Sequence, residues 1–493
     1  MSRGGEAAGP DLPDFQADMT PDEFRRHGAA ALELAARYLE RLDELPPLAQ
    51  VEPGRLVTAL PPGPPDQGEE LGAILADFER LVVPSTTHWN HPRFFAYFNS
   101  SASGAGVLGE LLAATLNANA MLWRTAPAGT ELEYVACRWL AELVGLPPHF
   151  DGHINDTAST STLVALAAAR EQAYPEAREL GLSGAPALRV YGSTQAHSSV
   201  EKAVMTLGMG RQGYRAVACD AEFRMDPAAL QLAIAEDLEA GLRPCAVVAT
   251  AGTTATTSVD PIPEVEAIAH RHGLWLHVDA AHGGSAAILP ERRWVLAGAD
   301  RAESVVINPH KWLFTPIDCS VLLTSRPEVL RRAFSLVPEY LATPEPDREE
   351  GMGARNLMDF GVALGRRMRA LKLWMVLRYF GRQGLETRLR QHLAMAEWLR
   401  AQIEQEPGWE LCAPVPLATL CFRHLVPGGG EAELERHNQE VMRLVNAEGD
   451  VFISHAVLEG RFVLRATIGG LRTTPADVGR LWSALQEGAV AAS

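Results

Sequence analysis

The chain has 493 residues, 47% of them hydrophobic and 21% charged, which is typical of a soluble globular protein with more than one domain. Its net charge of −17 argues against general nucleic-acid binding, which needs clustered lysine and arginine. The six cysteines form no CxxC pair, and no apolar run has the length of a membrane span or the setting of a signal peptide. We therefore predict a cytoplasmic protein with reduced thiols that contacts neither nucleic acid nor membrane and holds no metal.

The first 85 residues predict a tail followed by a helical arm. Thr20-Pro21-Asp22-Glu23 is typical of a helix start, because Thr20 can cap, Pro21 suits the first turn and Glu23 completes a capping box. A proline-rich linker at 60–65 separates this helix from a second one over about 69–82. The two helices have apolar stripes that need another surface, either the large domain of the same chain or a second subunit.

Residues 86–375 predict a large α/β domain with a mostly parallel sheet and helices on both faces. Short apolar strands alternate with helices, as expected of that architecture. The predicted strands are 188–191, 216–219, 245–250, 275–279, 304–307 and 320–323, and the helices between them include 161–173, 227–240 and 263–272.

Residues 376–493 predict a smaller C-terminal α/β domain, which follows a long helix around 365–380. The pattern indicates a strand at 419–424, a helix at 431–447 and a final helix from Thr474. Residues 451–454 and 461–467 are predicted to pair as strands.

Lys311 follows a buried strand, between His310 and Trp312. Most lysines are solvated surface cations. A lysine held in such apolar surroundings can instead lose its charge and act as a Schiff-base nucleophile.

Asp279 stands at the carboxyl end of a predicted central strand, where open α/β sheets bind ligands. A carboxylate there could pair with the pyridine nitrogen of pyridoxal 5′-phosphate (PLP) and preserve its capacity to accept electrons. The alternative is an aspartate that caps the next segment. The presence of Lys311 favours the cofactor interpretation.

A phosphate site is predicted at residues 155–162, where five hydroxyl residues lie in and around a helix start. Free N–H groups and the positive end of the helix dipole bind anions there. Ordinary helix capping is the alternative. His197 follows another strand and could stack on a cofactor ring or be structural, and the histidines show no metal-ligand spacing.

Together, and in this order, these segments resemble the group II PLP-dependent amino-acid decarboxylases, most of all the aromatic-L-amino-acid decarboxylases. The similarity begins near His91 and reaches the C-terminus. It is carried by segments 91–98, 130–133, 195–201, 277–281, 308–312, 365–367 and 371–374.

The resemblance implies fold type I, the aspartate-aminotransferase-like architecture, and a homodimer with active sites at the subunit interface. It implies that Lys311 forms the Schiff base, Asp279 binds the pyridine nitrogen and His197 stacks on the ring. The remaining cofactor contacts that it implies are Thr157, Ala158, Ser159, Thr254, Ala281, Asn308 and His310, and the substrate contacts are Tyr97, Ser100, Asn119, Met121 and Trp123.

The stretch between Phe334 and Arg355 is rich in Pro, Glu, Asp and Gly and is predicted to be a mobile loop. Tyr340 in this stretch matches the loop tyrosine of the family. The resemblance implies that Tyr340 donates a proton to the α-carbon after CO2 leaves; anchoring the loop is the alternative role.

Several residues depart from the animal aromatic decarboxylases. His282 replaces a tyrosine, Asn155-Asp156-Thr157 replaces Gln-Gly-Ser, and Asn119 and Met121 replace an isoleucine and a phenylalanine. Three alternatives therefore stand beside aromatic decarboxylation: a decarboxylase of an acidic or diamino acid, a decarboxylating aldehyde synthase, and a catalytically silent scaffold. In the related plant synthases the loop position is phenylalanine, so Tyr340 favours plain decarboxylation.

Overall fold

The computed structural model describes residues 18–336 and 354–492. The chain divides into two compact units, Met1–His88 and Trp89–Ser493. Tyr340 and most of the predicted mobile loop lie outside the described residues. No helix among the described residues is both long and apolar enough to cross a membrane.

The N-terminal unit contains helices α1 (Pro21–Glu40), α2 (Arg55–Ala59) and α3 (Leu71–Asp77). The capping box is present: Oγ1 of Thr20 accepts the N–H of Glu23 at 3.3 Å, and Oε2 of Glu23 accepts the N–H of Thr20 at 2.7 Å. A π-helical turn over Phe78–Val82 continues α3. The two predicted helices are therefore confirmed, and the second ends in a wider turn.

The second unit is built on a seven-stranded sheet with the order β1-β7-β6-β5-β4-β2-β3. Strands β2 to β6 are parallel, whereas β7 runs antiparallel to both of its neighbours. The strands are β1 (Asp151–Asn155), β2 (Leu188–Ser193), β3 (Tyr214–Val217), β4 (Arg243–Thr250), β5 (Trp275–Asp279), β6 (Ser304–Ile307) and β7 (Ser320–Thr324).

Alternating side chains of this sheet enter two different cores, which is why its strands are almost continuously apolar. In β4, Val247 and Ala249 face the larger core, whereas Ala246 and Val248 face the smaller one. The larger core also takes residues from α5 and α10, and the smaller one takes residues from α6, α8 and α11. The predicted α/β class, with helices on both faces of a mostly parallel sheet, is confirmed.

Helices lie before, between and after the strands of the second unit. They are α4 (Gly104–Leu116), α5 (Pro127–Val144), α6 (Ala158–Ala173), α7 (Ala177–Leu180), α8 (Ser199–Thr206), α9 (Pro227–Glu239), α10 (Ile262–Arg271), α11 (Pro327–Phe334), α12 (Ala370–Gln405), α13 (Glu431–Ala447) and α14 (Pro475–Ala492). The long helix α12 begins later than predicted and bends at Gly381, whose φ of 60° interrupts the helical conformation. The predicted boundary at residue 375 lies inside α12.

The C-terminal part forms an antiparallel sheet with the order β10-β11-β9-β8. Its strands are β8 (Trp409–Leu411), β9 (Thr419–His424), β10 (Ser454–Leu458) and β11 (Arg461–Thr467). The predicted pairing of 451–454 with 461–467 holds only at Ser454, which pairs with Arg465; the partner strand is β10, which continues to Leu458. Glu459 and Gly460 both have positive φ and close a two-residue hairpin, which sets the register from Leu458↔Arg461.

Candidate active site

Five strands of the large sheet end at one edge and deliver the predicted residues there. Asp279 is the last residue of β5 and pairs with Thr250 at the end of β4 and with Val306 of β6. Lys311 follows the end of β6 by four residues, and His197 follows the end of β2 by four. Because β1 runs parallel to β6, the Thr157 turn also begins at this edge. The topology thus brings together groups that are up to 154 residues apart in the sequence.

Lys311 lies in surroundings that disfavour its charge. Burial, with a smaller contribution from Arg465, lowers the pKa of Lys311, whereas Asp279 opposes this shift. Its Nζ lies 5.2 Å from the centroid of the Phe98 ring. A lysine with a lowered pKa has more of the neutral amine that attacks carbonyl carbons.

The Asp279 carboxylate is 7% exposed and is held by the turn that follows its strand. Its Oδ1 accepts the N–H of Ala281 at 3.1 Å. The carbonyl of Ala281 in turn accepts the N–H of Asn308 at 3.0 Å. These bonds connect the end of β5 to the segment that carries Lys311. They therefore fix the backbone of Asp279 relative to the backbone of that segment.

The hydroxyl-rich turn lies between β1 and α6, with Thr157 at the N-cap of α6 in an extended conformation. Its side chain makes no capping hydrogen bond; instead, Oδ1 of Asp156 accepts the Thr157 N–H at 2.6 Å and its hydroxyl at 3.4 Å. Ala158 is partly buried and Ser159 is exposed. Ordinary capping by Thr157 therefore does not account for this turn.

His310 and Asn308 follow β6 and are both buried. Burial lowers the pKa of His310 to about 4, so the ring is neutral at physiological pH. Its Nδ1 accepts the N–H of Cys319 at 2.9 Å, which places the proton of the neutral ring on Nε2. The side-chain amide of Asn308 lies 3.4 Å from this Nε2. The segment therefore places two buried polar side chains side by side after β6.

His197 lies in the turn before α8. Its Nδ1 accepts the N–H of Ser199 at 3.1 Å, and this fixes the ring. Desolvation lowers the pKa of His197; Asp279 opposes the shift and Lys311 adds to it, so His197 shares the electrostatic environment of both. Thr254 is exposed in the loop that follows β4.

The five predicted substrate residues fall into two groups. Ser100 donates its hydroxyl to the His310 carbonyl at 2.6 Å, and the carbonyl of Tyr97 accepts Nη1 of Arg465 at 2.7 Å, so these two residues join the site. The bonds of the other three lead elsewhere: Asn119 Oδ1 accepts the N–H of Arg366, Met121 O accepts the N–H of Met358, and Trp123 Nε1 donates to Glu131. None of these three partners belongs to the group around Lys311.

The sequence predictions missed two residues that lie beside Lys311. The ring of Phe98 stacks on His282 with centroids 3.8 Å apart, and the guanidinium of Arg465 lies 4.8 Å from the Phe98 centroid. Arg465 is 3% exposed, donates to the carbonyls of Ala255 and Tyr97, and has an Nη2 without a partner among the described residues. Burial lowers its pKa to about 10.

Phe98 could have been found from the motif at 91–98, in which it is the last residue. Arg465 lies on β11, more than 150 residues after Lys311, and no local pattern marks it. Among residues 18–336 and 354–492, no group of three potential metal ligands converges. The absence of a metal stays a prediction.

Comparison with known proteins decides the family. Residues 53–425 match the model of the pyridoxal-dependent decarboxylase conserved domain. The chain belongs to the pyridoxal-dependent decarboxylases. The cofactor of this decarboxylase is PLP, and its reaction is that of a carboxy-lyase acting on an amino acid.

Similar proteins cover nearly the whole decarboxylase. A phenylacetaldehyde synthase of Arabidopsis thaliana is 37% identical over 95% of the chain and 96% of its own length. Tryptophan decarboxylase 2 of Oryza sativa subsp. japonica is 36% identical over 95% of both chains. The crystal structure of Oryza sativa TDC with PLP and tryptamine superposes with a TM-score of 0.92, at 34% identity over 97% of the chain and 99% of that chain. The predicted fold type I is therefore confirmed, and a catalytically silent scaffold is not supported.

Proposed function

We propose that this decarboxylase converts an aromatic L-amino acid to its amine and CO2, with PLP held covalently by Lys311. The observation that carries the proposal is the placement of Lys311, whose pKa is lowered, and of the buried Asp279 at the same edge of the sheet, after adjacent central strands. The aromatic side chain is supported by the relatives, which include a tryptophan decarboxylase and a phenylacetaldehyde synthase.

The groups at this edge suit each part of PLP. The aldehyde needs an amine, which Lys311 supplies, and the pyridine nitrogen needs a buried carboxylate, which Asp279 supplies. A phosphate is favoured by the N-terminus of α6. The residues proposed for the phosphate are Thr157, Ala158, Ser159, Asn308 and His310, and those proposed beside the ring are His197, Thr254 and Ala281.

Bound PLP supplies an electron sink for the electrons of the broken bond between Cα and the carboxylate. Asp279 would place its carboxylate beside the pyridine nitrogen. His197, whose pKa is lowered by burial, would lie against the cofactor ring. Arg465 offers its free N–H to an anionic group of the substrate, which a buried guanidinium without an acidic partner is suited to bind. Tyr340 is proposed to deliver the proton that replaces CO2.

We also propose that the active form is a homodimer. Helix α4 packs Gly109 against the backbone of Lys372, where any side chain would collide. Its small residues therefore face inward. Its large side chains point outward instead: Val107, Leu108, Leu111, Leu112 and Leu116 are 43–63% exposed. Such a patch on one helix is typical of a subunit interface, and a second copy is the partner that we propose. The N-terminal arm is proposed to pack across the dimer. The cytoplasmic location of the protein stays a prediction.

A second candidate function is decarboxylation coupled to oxidative deamination, as the similarity to the Arabidopsis phenylacetaldehyde synthase suggests. Tyr340 favours plain decarboxylation. The two outcomes differ in their products, since the first gives an amine and the second an aldehyde and ammonia.

The decisive experiment is a screen for CO2 release from individual amino acids, with the products identified by mass spectrometry. We expect phenylalanine, tyrosine, tryptophan or their hydroxylated forms to react and amines to accumulate. Reaction with acidic or diamino acids alone would overturn the aromatic assignment. Borohydride reduction followed by peptide mapping should place the cofactor on Lys311.

A further inference from the structure

The imidazole of His282 is buried between two aromatic rings. It stacks on Phe98 at 3.8 Å and 11°, and on Trp312 at 4.9 Å and 7°. The residue is 2% exposed. Because both faces of the ring are covered, only its edge, which carries the two nitrogens, is available for polar contacts.

Both of these nitrogens lack a hydrogen-bond partner among the residues that the structure describes. The next histidine of the same stack, His392, is fully paired: Nδ1 accepts Nε1–H of Trp312 at 2.9 Å, and Nε2 donates to the carbonyl of Gly470 at 3.1 Å. A buried polar group without a partner costs on the order of 1–3 kcal/mol. The unpaired edge of His282 therefore indicates a partner that comes and goes.

His282 presents a lone pair to any such partner. Burial, followed by Lys311, Arg465 and His392, holds the pKa of His282 well below its usual value. The ring is therefore neutral, with one N–H and one acceptor nitrogen. The acceptor requires a donor nearby, and the donors next to the same Phe98 ring are the guanidinium of Arg465 at 4.8 Å and Nζ of Lys311 at 5.2 Å.

Of the two donors, Lys311 is the one that can move. Arg465 is fixed by hydrogen bonds to the carbonyls of Ala255 and Tyr97 and still does not reach the imidazole. Lys311 has a flexible four-carbon chain with three rotatable N–H donors. It is also the residue whose bonding changes in the proposed reaction, because it alternates between covalent attachment and release.

We propose that His282 is a positioning residue: when Lys311 is not covalently engaged, its side chain turns from the rotamer of this structure and its ε-ammonium donates a hydrogen bond to the imidazole. The imidazole then holds the released lysine near the reacting centre and stabilises its protonated form. The inference rests on the proposed role of Lys311, which borohydride mapping tests separately. The charged and titratable groups that also face these two residues are Asp279, Arg465, His197, His310 and His392.

The test is the pKa of Lys311 in the full-length apoprotein of wild type and H282F. The probe is the rate of Schiff-base formation with added PLP, followed by absorbance from pH 6 to 10. Phenylalanine keeps the stack and removes the acceptor, so the pKa of Lys311 should fall by about one unit. At pH 7, H282F should therefore react about tenfold faster than wild type, whereas at high pH the two rates should converge.

Two amide variants separate the acceptor from packing. H282N places an oxygen near the position of Nδ1, and H282Q places one near Nε2. One of them should restore the wild-type pKa of Lys311 and so identify the accepting nitrogen. The control is H392Q, in the histidine of the same stack whose nitrogens are both paired; it should leave the pKa of Lys311 unchanged.

Melting curves show whether each variant is folded. H282F should melt close to the wild-type temperature, because phenylalanine keeps the stack with Phe98 and Trp312. An unchanged Lys311 pKa in folded H282F would overturn the inference. Equal shifts in H282F, H282N and H282Q would also overturn it, since they would assign the effect to packing alone.

Discussion

Arg465 combines features that cost free energy in a protein interior. The guanidinium is buried, has no carboxylate partner within residues 18–336 and 354–492, and donates to two backbone carbonyls. An arginine in such a position is explained by an anion that arrives from solution. An amino-acid substrate brings one with its carboxylate.

We therefore expect R465K to raise KM about tenfold or more, with a smaller effect on kcat. Lysine lacks the planar guanidinium that can donate to two carbonyls and to a third group at the same time. Steady-state kinetics measure the split. R423K is the matched control: Arg423 lies on the neighbouring strand β9 and pairs with Glu410 and Glu431. A purely structural role for Arg465 would lower the melting temperature and leave KM at the wild-type value.

Tyr340 is the residue on which we propose that the choice of product depends. If it delivers the proton to the α-carbon, Y340F should lower amine formation and divert flux to the aldehyde and ammonia. That diversion is a two-electron oxidation, so O2 should be consumed and hydrogen peroxide should appear. Quantifying amine, aldehyde and peroxide per CO2 released measures the diversion. An unchanged product ratio in Y340F would remove the tyrosine from the proton transfer.

The residues near the strand ends could be predicted from sequence because their information is local. Lys311 and Asp279 each follow a strand whose apolar pattern marks its end. Arg465 and His282 could not be assigned in this way. Their significance depends on contacts with Phe98 and on unpaired atoms, which arise only when distant segments pack together.

Among the strands, β4 to β7 could be predicted from the sequence, whereas β1 could not. Strands β4 to β7 are mostly apolar, and the sequence predicts each of them within two residues of its bounds. Strand β1 has the sequence Asp-Gly-His-Ile-Asn and gives no periodic signal. It is held by tertiary contacts instead: Arg355 forms an ion pair with Asp151, and the carboxylate of Glu133 accepts the backbone N–H of Ile154 at 2.7 Å.

Asp260 ties the end of β4 to a distant turn. Its carboxylate is 2% exposed and accepts the N–H groups of Thr250 and Met225, both at 2.7 Å. Burial nevertheless raises its pKa to about 6, against an ordinary value of 3.8. Its native state thus binds a proton more tightly than its unfolded state. The stability that results is fully present below pH 4 and is lost as pH rises through 6.

We expect the pH dependence of unfolding to change in D260N. Between pH 4 and 7 the wild-type melting temperature should fall relative to that of D260N, corresponding to about 3 kcal/mol at 1.36 kcal/mol per pKa unit. Calorimetry of both proteins at matched pH values gives the difference. A constant offset across this range would show that Asp260 titrates as an ordinary exposed carboxylate.

At the scale of the whole molecule, the exposed face of α4 predicts the oligomeric state. Leu112 is 49% exposed on α4, and Leu238 is 48% exposed on α9, so the two leucines form a matched pair. L112E should shift the protein from dimer to monomer in sedimentation experiments, because an interface buries the introduced charge without a partner. L238E should remain dimeric. Dissociation of both variants, or of neither, would contradict an interface centred on α4.

The proposed dimer would also determine where the substrate wall comes from. Asn119, Met121 and Trp123 make their bonds away from Lys311, so the structure leaves room for them to serve the active site of the partner. K311A and W123A should then each be nearly inactive, the first without its lysine and the second without its substrate wall. After the two are mixed and allowed to exchange subunits, each heterodimer contains one site with both wild-type residues. Random pairing should restore about a quarter of wild-type activity. If Lys311 and Trp123 act within the same chain, mixing gives no recovery, because every site then contains one altered residue.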